Sequence, residues 1–599
     1  MMKTRLFIFL FSVILIPLTV HSQKKLVILH TNDLHSRLTG FAPESSYTPM
    51  TINDDKTVSG FARIATIIGM EKNSNQSTTL VVDAGDFLMG TLFQGAETRT
   101  GFQLWLMKKM GYDVVSIGNH EFDYGPDKFA EIVNSSLRRG EIPPLLLSNA
   151  VFDPDDQGDD ELSKLFDSGI ISRTHILEKE GLRIGFFSLL GKVADENAAF
   201  APPVTFAKQT SVARKMVKQL QAEKCDIIIC LSHSGVSINK KGEMAGEDVT
   251  LAKRVKGIDV IISGHTHTRL DKPIMVNGVP VVQTGEYGKN VGKLSLSFNN
   301  GKVTVDGYSL IPVDDKISGD SLIHKLIEDQ KKFITEEILK PVGLDYDEQV
   351  AESDFLLECD EQGDFKGSNL GPMVADAIHA YINKHSDTGT NVSMVATGVI
   401  RDKIVPGLQT APDIFRVMSM GSGNDEIPGY PLARLYVTGK ELKNILEILQ
   451  IAYKNAPANY CYYSGLKVDF NPDRMMLRKI RKIEILHPDG SVTDVDFSKK
   501  NRTLYSIAAN SYMLEFVGII KKMSFGLINI VPKDVSGNPV TDMKSTVIDM
   551  DDQKAGIQEG KEWLALMEYI SAMPDVNGNG IPDIDNKYRI AVQTFVTVK

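Results

Sequence analysis

Short apolar runs, each followed by an abrupt polar or glycine-rich turn and then an amphipathic stretch, recur from Lys24 to about Pro312. A chain that alternates in this way reads as an α/β fold. The runs predict strands at Leu26–His30, Thr79–Asp83, Val114–Ile117, Leu145–Ser148, Arg183–Leu189, Ile227–Leu231, Val260–Ile262 and Val281–Thr284. Several are apolar at every position, which predicts burial on both faces. Between Ser318 and Lys340, the residues Leu322, Ile323, Leu326, Ile327, Phe333, Ile334 and Ile338 recur at helical spacing before Pro341, predicting a connecting helix. Beyond it, Gly371–Asn383 and Lys440–Ala456 read as helices and Ser464–Phe470 as a strand. The pattern divides the chain into an N-terminal domain over 24–315, a linking helix over 316–345 and a mixed C-terminal domain over 346–599.

The first residues stand apart. Lys3 and Arg5 precede a charge-free, largely apolar run, Leu6 to Val20, which ends in small and polar residues around Ser22. This predicts a secretory signal peptide over 1–22, and hence an exported protein, periplasmic or extracellular. The run is short for a membrane span of about 20 residues. No later stretch approaches that length, so no transmembrane segment is expected in the mature chain. A length of 599 residues exceeds what one hydrophobic core organises, and 42% hydrophobic with 24% charged residues is an ordinary globular mixture. The net charge of -10 argues against a polymeric nucleic-acid partner, which needs a basic face. Cys225, Cys230, Cys359 and Cys461 are too few to staple a scaffold. Cys225 and Cys230 read as buried thiols, and spacing alone does not decide whether Cys359 pairs with Cys461.

Candidate chemistry collects where the strands end, which is where open α/β sheets place ligands. The stretches are Asp33-Leu34-His35, Asp83-Ala84-Gly85-Asp86, Gly118-Asn119-His120-Glu121-Phe122-Asp123, Ser232-His233-Ser234 and Gly264-His265-Thr266-His267. A pair of divalent ions needs one bridging carboxylate and several neutral imidazole or amide ligands. On that inventory Asp33, His35, Asp86 and His267 hold one ion, and Asp86, Asn119, His233 and His265 hold the other, with Asp86 shared. A water between two such ions becomes hydroxide near neutral pH, aligned for attack on phosphorus. His120 is left free to donate a hydrogen bond or proton, with Asp123 placed to orient it. The competing reading of Asp123 is a cap on the following helix. A single Asp-x-His or His-x-His is more often a turn or a surface pair, whereas five such motifs in order, each at a strand end, point to a metal centre. His30, which ends the first strand, reads as packing or support.

The stretch Ile28 to His35, with Gly85-Asp86-Phe87, Gly118 to Asp123, Ser232-His233 and Gly264 to His267, resembles the exported 5′-nucleotidase family of calcineurin-like metallophosphoesterases, which includes UDP-sugar hydrolases and 2′,3′-cyclic phosphodiesterases. The resemblance implies an N-terminal β-sandwich flanked by helices, a linking helix, and a C-terminal α+β domain that binds substrate and rotates to deliver it. It implies the metal and catalytic assignments already made.

In the second half Ser368-Asn369-Leu370, followed by Asp376-Ala377, resembles the start of the family's substrate domain, although His379 stands where an arginine is common. Gly398-Val399-Ile400-Arg401 resembles the segment whose arginine meets the substrate phosphate. Tyr463-Ser464-Gly465-Leu466 also fits a family pattern. Family members commonly stack the nucleobase between two aromatic rings. Here the corresponding stretches are Ser419-Met420-Gly421-Ser422 and, approximately, Phe516-Val517-Gly518, so the first ring is absent. Asn369, Arg401, Met420, Tyr512 and Phe516 are therefore the candidate substrate residues, core packing being the alternative for Met420, Tyr512 and Phe516. Near the C-terminus Asp575, Asn577, Asn579 and Asp583 alternate around glycines as in a calcium loop, but position twelve is Asn586 rather than a bidentate glutamate. A plain Asx/Gly turn fits equally.

The reading is a phosphoester hydrolase with two divalent ions, zinc, manganese, cobalt or iron, and with calcium as a further candidate. Its expected substrate is a nucleoside 5′-monophosphate. Two rivals remain. One is the same chemistry on a cyclic nucleotide, a nucleotide sugar, another phosphomonoester or a sulfur ester. The other is a nucleotide- or nucleoside-binding protein without turnover. The sequence leaves the oligomeric state open.

Overall fold

The computed structural model describes residues 23–599 except 75–77, 240, 300, 360–366, 453–456, 472, 476, 516–527, 592–595 and 598–599. The expected signal segment at 1–22 and the candidate Phe516 lie outside the described residues. All eight predicted strands of the first half are present, as Lys24–Thr31, Thr78–Asp83, Val114–Ser116, Leu145–Leu146, Leu182–Leu190, Ile227–His233, Val260–Ser263 and Val279–Val282. The period of two along a strand explains their arrangement. Leu26, Ile28, Leu80, Val82 and Val114 meet Ile184, Phe186, Ile229, Leu231 and Ile262 in one core. The alternate residues Val27, Leu29, Val81 and Val115 pack instead with helices Phe61–Asn73, Phe102–Met110 and Pro126–Arg139. On the far side Leu189, Ile228, Cys230 and Ile261 pack with helices Gln209–Ala222 and Glu247–Arg254. The result is two sheets face to face with helices on both outer surfaces.

The first sheet runs, in spatial order, Lys302–Pro312, Asn290–Asn299, Lys24–Thr31, Thr78–Asp83, Val114–Ser116, Leu145–Leu146, Ile171–Ser172. The second runs Ile274–Val276, Val279–Val282, Val260–Ser263, Ile227–His233, Leu182–Leu190, Thr174–Lys179. Parallel pairing sets the chemistry in place: Thr31 stands opposite Asp83 in one sheet, and Ser232 opposite Ser263 in the other. The turns that follow each strand therefore open at one edge of the sandwich. The long hairpin of Asn290–Asn299 and Lys302–Pro312 lies outside the predicted strands. Its outer strand alternates half-buried and exposed residues at the sheet edge, so it lacks the continuous apolar run that marks a buried strand.

The connecting helix spans Ser321–Ile334, capped by Asp320, whose carboxylate accepts the Ile323 N–H at 2.9 Å. In the second half, a sheet ordered Leu432–Thr438, Leu504–Asn510, Val392–Ala396, Cys461–Ser464 carries the helix Leu370–His385. The strand expected over Ser464–Phe470 is in fact two. Cys461–Ser464 pairs with Val392–Ala396, and Leu466–Phe470 pairs with Ile480–Leu486 in another sheet. Gly465, at φ 84°, makes the break; a Cβ there would stand 2.3 Å from the Asn391 carbonyl oxygen. None of the four cysteines is in a disulfide, so Cys359 and Cys461 are not bridged. Among the described residues no helix is long and apolar enough to cross a membrane.

Candidate active site

The residues that follow the strands adopt backbone conformations that side-chain-bearing residues rarely take. Asp33 (φ 51°), His35 (48°), Asp86 (56°), His265 (76°) and His267 (52°) all lie in the left-handed region. Such residues cost about 1 to 3 kcal/mol each and persist only when surrounding structure over-determines them. Here the Asp33 N–H donates to the Gly85 carbonyl at 2.9 Å and the His35 N–H to the Asp86 carbonyl at 3.0 Å. The two turns are thereby bolted together. Gly118 has to be glycine, because a Cβ would stand 2.2 Å from Asp86 Oδ1.

Two groups of side chains converge. The ligating atoms of Asp33, His35 and His267 lie within 4.8 Å of one another, as do those of Asp86, His233 and His265. Asp33 Oδ1 is 3.6 Å from His267 Nε2 and 3.9 Å from His233 Nε2, so it stands between the groups. Asp86 Oδ2 is 3.0 Å from His233 Nε2. The imidazoles are oriented from behind: His233 Nδ1 is 2.9 Å from the Ala84 carbonyl, and His267 Nδ1 is 2.8 Å from Glu286 Oε2. A ring that donates from Nδ1 turns the lone pair of Nε2 inward, as a metal ligand must. Burial holds His35 far below the usual imidazole range and His265 at about 3, so both are neutral.

Asn119 supplies an independent test of fit. Its side chain is 1% exposed, and neither its oxygen nor its nitrogen has a hydrogen-bond partner. An orphaned buried amide costs about 1 to 3 kcal/mol unless something else engages it. A divalent cation held by mixed histidine, aspartate and asparagine donors is of the kind these groups suit. The residues present fit a metal centre.

His120 belongs to neither group. Its Nδ1 is 2.9 Å from Asp123 Oδ2, and its backbone N–H donates to Asp86 Oδ1 at 2.9 Å. Burial works against its charged form, but Asp123 and Asp86 outweigh it and raise the His120 pKa above the ordinary value. Asp123 does not cap the next helix, which starts at Pro126 behind Gly125 without a side-chain cap.

Three supporting residues escape the sequence reading. Glu121 accepts the N–H groups of Gly118 at 2.6 Å, Asp86 at 3.1 Å and Leu88 at 2.9 Å, drawing two of the turns together. Asn32 donates to Asp33 Oδ2 at 2.6 Å. Both lie inside motifs already singled out, whereas Glu286 has no local signal. His30 is fully buried and stacks on Tyr308, consistent with packing.

A cavity of about 670 Å³ opens between the halves. Asp86, Asn119, His120 and His265 line one wall; Arg401, Met420 and Tyr512 line the other. Asn369 is not brought there. Its amide accepts the Glu358 N–H and donates to the Leu356 carbonyl, both at 2.8 Å, so it ties the backbone at Leu356 and Glu358 to the start of the helix Leu370–His385. Two aromatic residues not foreseen complete the wall. Tyr430 stacks on Tyr512 with ring centres 5.1 Å apart and planes at 10°, and Phe200 lies 6.1 Å from each. A second cavity of about 490 Å³ lies beyond these three rings and shares Asp123 with the first.

Far from this cleft, the loop of Asp575, Asn577, Asn579 and Asp583 is drawn together. Asp575 Oδ1 accepts the Gly578 N–H at 2.7 Å, and Asp583 Oδ2 accepts the Val576 N–H at 2.7 Å. Glu352 joins it by accepting from the Asn579 amide at 2.7 Å. Within it Asn577 Oδ1 accepts the Asn579 N–H at 3.0 Å and Asn579 Oδ1 the Ile581 N–H at 2.9 Å, each an Asx-turn bond.

Residues 26–269 match a family model for calcineurin-like phosphoesterases, and residues 349–519 match one for the 5′-nucleotidase C-terminal domain. A 5′-nucleotidase of Diplobatis ommata is 26% identical over 528 residues, covering 82% of either chain. The trifunctional nucleotide phosphoesterase protein YfkN of Bacillus subtilis is 26% identical over 523 residues, 82% of this chain but 32% of its own length, so the chain spans about a third of that relative. The crystal structure of a 5′-nucleotidase precursor from Thermus thermophilus has the same fold, with a TM-score of 0.64 at 20% identity over 91% of this chain and 96% of that one. With both domains in the expected order and two metal-ligand groups at the mouth of the first, the chain belongs to the 5′-nucleotidase family of calcineurin-like phosphoesterases, metal-dependent hydrolases.

Proposed function

We propose that this chain is an exported enzyme that releases phosphate from nucleoside 5′-monophosphates. The observation that carries the reading is the convergence of Asp33, His35 and His267, of Asp86, His233 and His265, and of the His120–Asp123 pair on one side of the cleft that Arg401 lines from the other. In this reading Asp33, His35, Asp86 and His267 hold one ion of zinc, manganese, cobalt or iron, and Asp86, Asn119, His233 and His265 hold a second. Such a pair, when bound, neutralises phosphoryl charge and supplies an activated water.

The protein's own groups do the rest. Asp123 fixes the His120 ring through Nδ1, leaving Nε2 to give a proton or hydrogen bond to a phosphoryl or leaving oxygen. Arg401, whose charge opposes protonation of both His35 and His120, brings fixed positive charge to the phosphate. Tyr512 and Met420, with Tyr430 and Phe200, offer the apolar surface on which a base packs. Export rests on the Lys3, Arg5 and Leu6–Val20 pattern.

A second reading keeps the chemistry and lengthens the substrate. Tyr430 and Tyr512 lie against each other, so a base enters between them only if they part, while the further chamber has room for another group. That favours a nucleotide sugar or related pyrophosphate diester. Turnover of 5′-AMP, a cyclic nucleotide, a nucleotide sugar and p-nitrophenyl phosphate, with the products resolved by chromatography because the cyclic and pyrophosphate esters yield monoesters rather than free phosphate, separates the two. Preference for 5′-AMP, lost in Asp86→Ala and His120→Ala, is the expected result; no turnover of 5′-AMP by metal-loaded protein overturns the first reading.

A further inference from the structure

The seam between the two halves carries buried charge that the chemistry above does not use. Arg37, just past the Asp33-Leu34-His35 turn, is 2% exposed, with its guanidinium 4.8 Å from the Phe41 ring centre and 4.4 Å from that of Tyr287. Its Nη1 lies 2.9 Å from Oδ2 of Asp402, in the other half. The same oxygen is 3.2 Å from Arg416 Nε, and Arg416 Nη1 reaches back across the seam to Glu44 at 2.6 Å while Nη2 pairs with Asp413. Glu44 also accepts from the Tyr346 hydroxyl at 2.8 Å, and its N–H donates to Asp413 Oδ1 at 3.0 Å.

Desolvation cancels most of what such buried pairs contribute to stability, yet removing one partner is costly, so their effect is to hold one arrangement against others. What is held is specific. Asp402 immediately follows Arg401, the cation at the cavity wall. The Arg401 carbonyl accepts from the Tyr287 hydroxyl at 3.3 Å, and its N–H donates to the Val417 carbonyl at 2.9 Å. The Tyr287 ring stands edge-on to His35 and His267 at 5.5 and 5.7 Å, and its N–H donates to the Asp33 carbonyl at 2.6 Å. Residues flanking the metal-ligand groups thus grip the residues flanking Arg401 from two directions.

We propose that Arg37 and Asp402 are positioning residues, a cross-seam charge pair that sets Arg401 over the metal-ligand groups and thereby governs affinity for the phosphate without touching it. The proposal rests on the reading that Arg401 meets the phosphate.

The test is a double-mutant cycle on full-length, metal-loaded protein, reading the affinity for inorganic phosphate by titration calorimetry together with metal content. Arg401→Gln is expected to weaken phosphate binding at least tenfold, Asp402→Asn about fivefold to tenfold, and Asp402→Asn in the Arg401→Gln background by less than twofold, because nothing remains to be positioned. Metal content stays unchanged. Equal losses in both backgrounds would make the pair merely structural and overturn the proposal, as would an unchanged affinity in Asp402→Asn. Loss of metal in that variant overturns it too, since the pair would then act on His35. If Arg401→Gln leaves phosphate affinity intact, the underlying reading of Arg401 fails, and with it the proposal. Should Asp402→Asn not fold, Arg37→Lys takes its place in the cycle, keeping the charge while removing the planar donor.

Discussion

The Nε2 atoms of His35 and His267 face each other 3.1 Å apart, joining positions 232 residues distant in sequence. Two imidazole lone pairs at that separation repel unless a proton or a cation lies between them. His35 is buried and far below its usual pKa, so a proton is poorly held there. Treatment with a chelator is therefore expected to abolish phosphate release and to lower the melting temperature by several degrees, because a ligand that binds only the folded state stabilises it by mass action. Calorimetry before and after manganese or zinc is returned would show recovery; an unchanged melting curve contradicts the metal reading.

His120 predicts a pH dependence. Its pKa is raised by Asp123 and Asp86 against the pull of burial, so the proton-donating form persists above the ordinary range and is lost as pH rises through the raised value. Asp123→Asn should move the alkaline limb of kcat/KM to lower pH. His120→Ala should cost about 100- to 10,000-fold in kcat. An alkaline limb that stays in place in Asp123→Asn would remove the pair from the proton transfer.

Gly118→Ala is expected to be severe although it adds one methyl, for the new Cβ would lie 2.2 Å from Asp86 Oδ1 and 2.5 Å from the Asp86 nitrogen. Backbone cannot yield as a flexible side chain can. Metal content of the purified variant is the readout, and the expectation is loss of at least one equivalent.

Tyr512→Ala distinguishes base recognition from phosphate recognition. Stacking is worth about 1 to 3 kcal/mol per base, so KM for 5′-AMP should rise between roughly fivefold and a hundredfold. Hydrolysis of methyl phosphate, which has no ring, should be unaffected.

Glu562 gives a prediction about stability. It is buried, its Oε2 accepts from the Asn510 amide at 2.9 Å, and burial pushes its pKa up to about 8. A carboxyl raised in this way binds its proton more tightly in the folded state, so its contribution is intact below the unfolded value of 4.5 and is lost as pH rises towards 8. The slope is at most about 1.4 kcal/mol per pH unit. Glu562→Gln should flatten the stability profile across that window in denaturant titrations.

The sandwich and its metal-ligand groups were legible because buried strands are continuous apolar runs and five of the eight lead into a motif of His, Asp or Asn. The edge strand Lys302–Pro312 was not, since a half-exposed strand carries no such run. Asn369 followed the family pattern in sequence but uses its amide on the backbone at Leu356 and Glu358. Tyr430 was missed because the chain makes a detour: Gly421, at φ 74°, and Gly429, at φ 105°, fold the intervening loop back on itself, with the Gly429 N–H bonded to the Gly421 carbonyl at 2.8 Å. The ring so returned packs where a Cβ on Gly421 would be 2.1 Å from Tyr430 Cε1, a neighbour no linear pattern announces.

The bond from the His265 backbone N–H to both carboxylate oxygens of Asp33, at 3.0 Å each, spans 232 residues. A growing polypeptide therefore carries its first acidic ligand long before the partner that pins it has been translated. Premature termination ahead of residue 264 leaves a fragment without His265 and His267, two of the seven candidate ligands, so in the two-ion reading each site is completed only when nearly half the protein has been made.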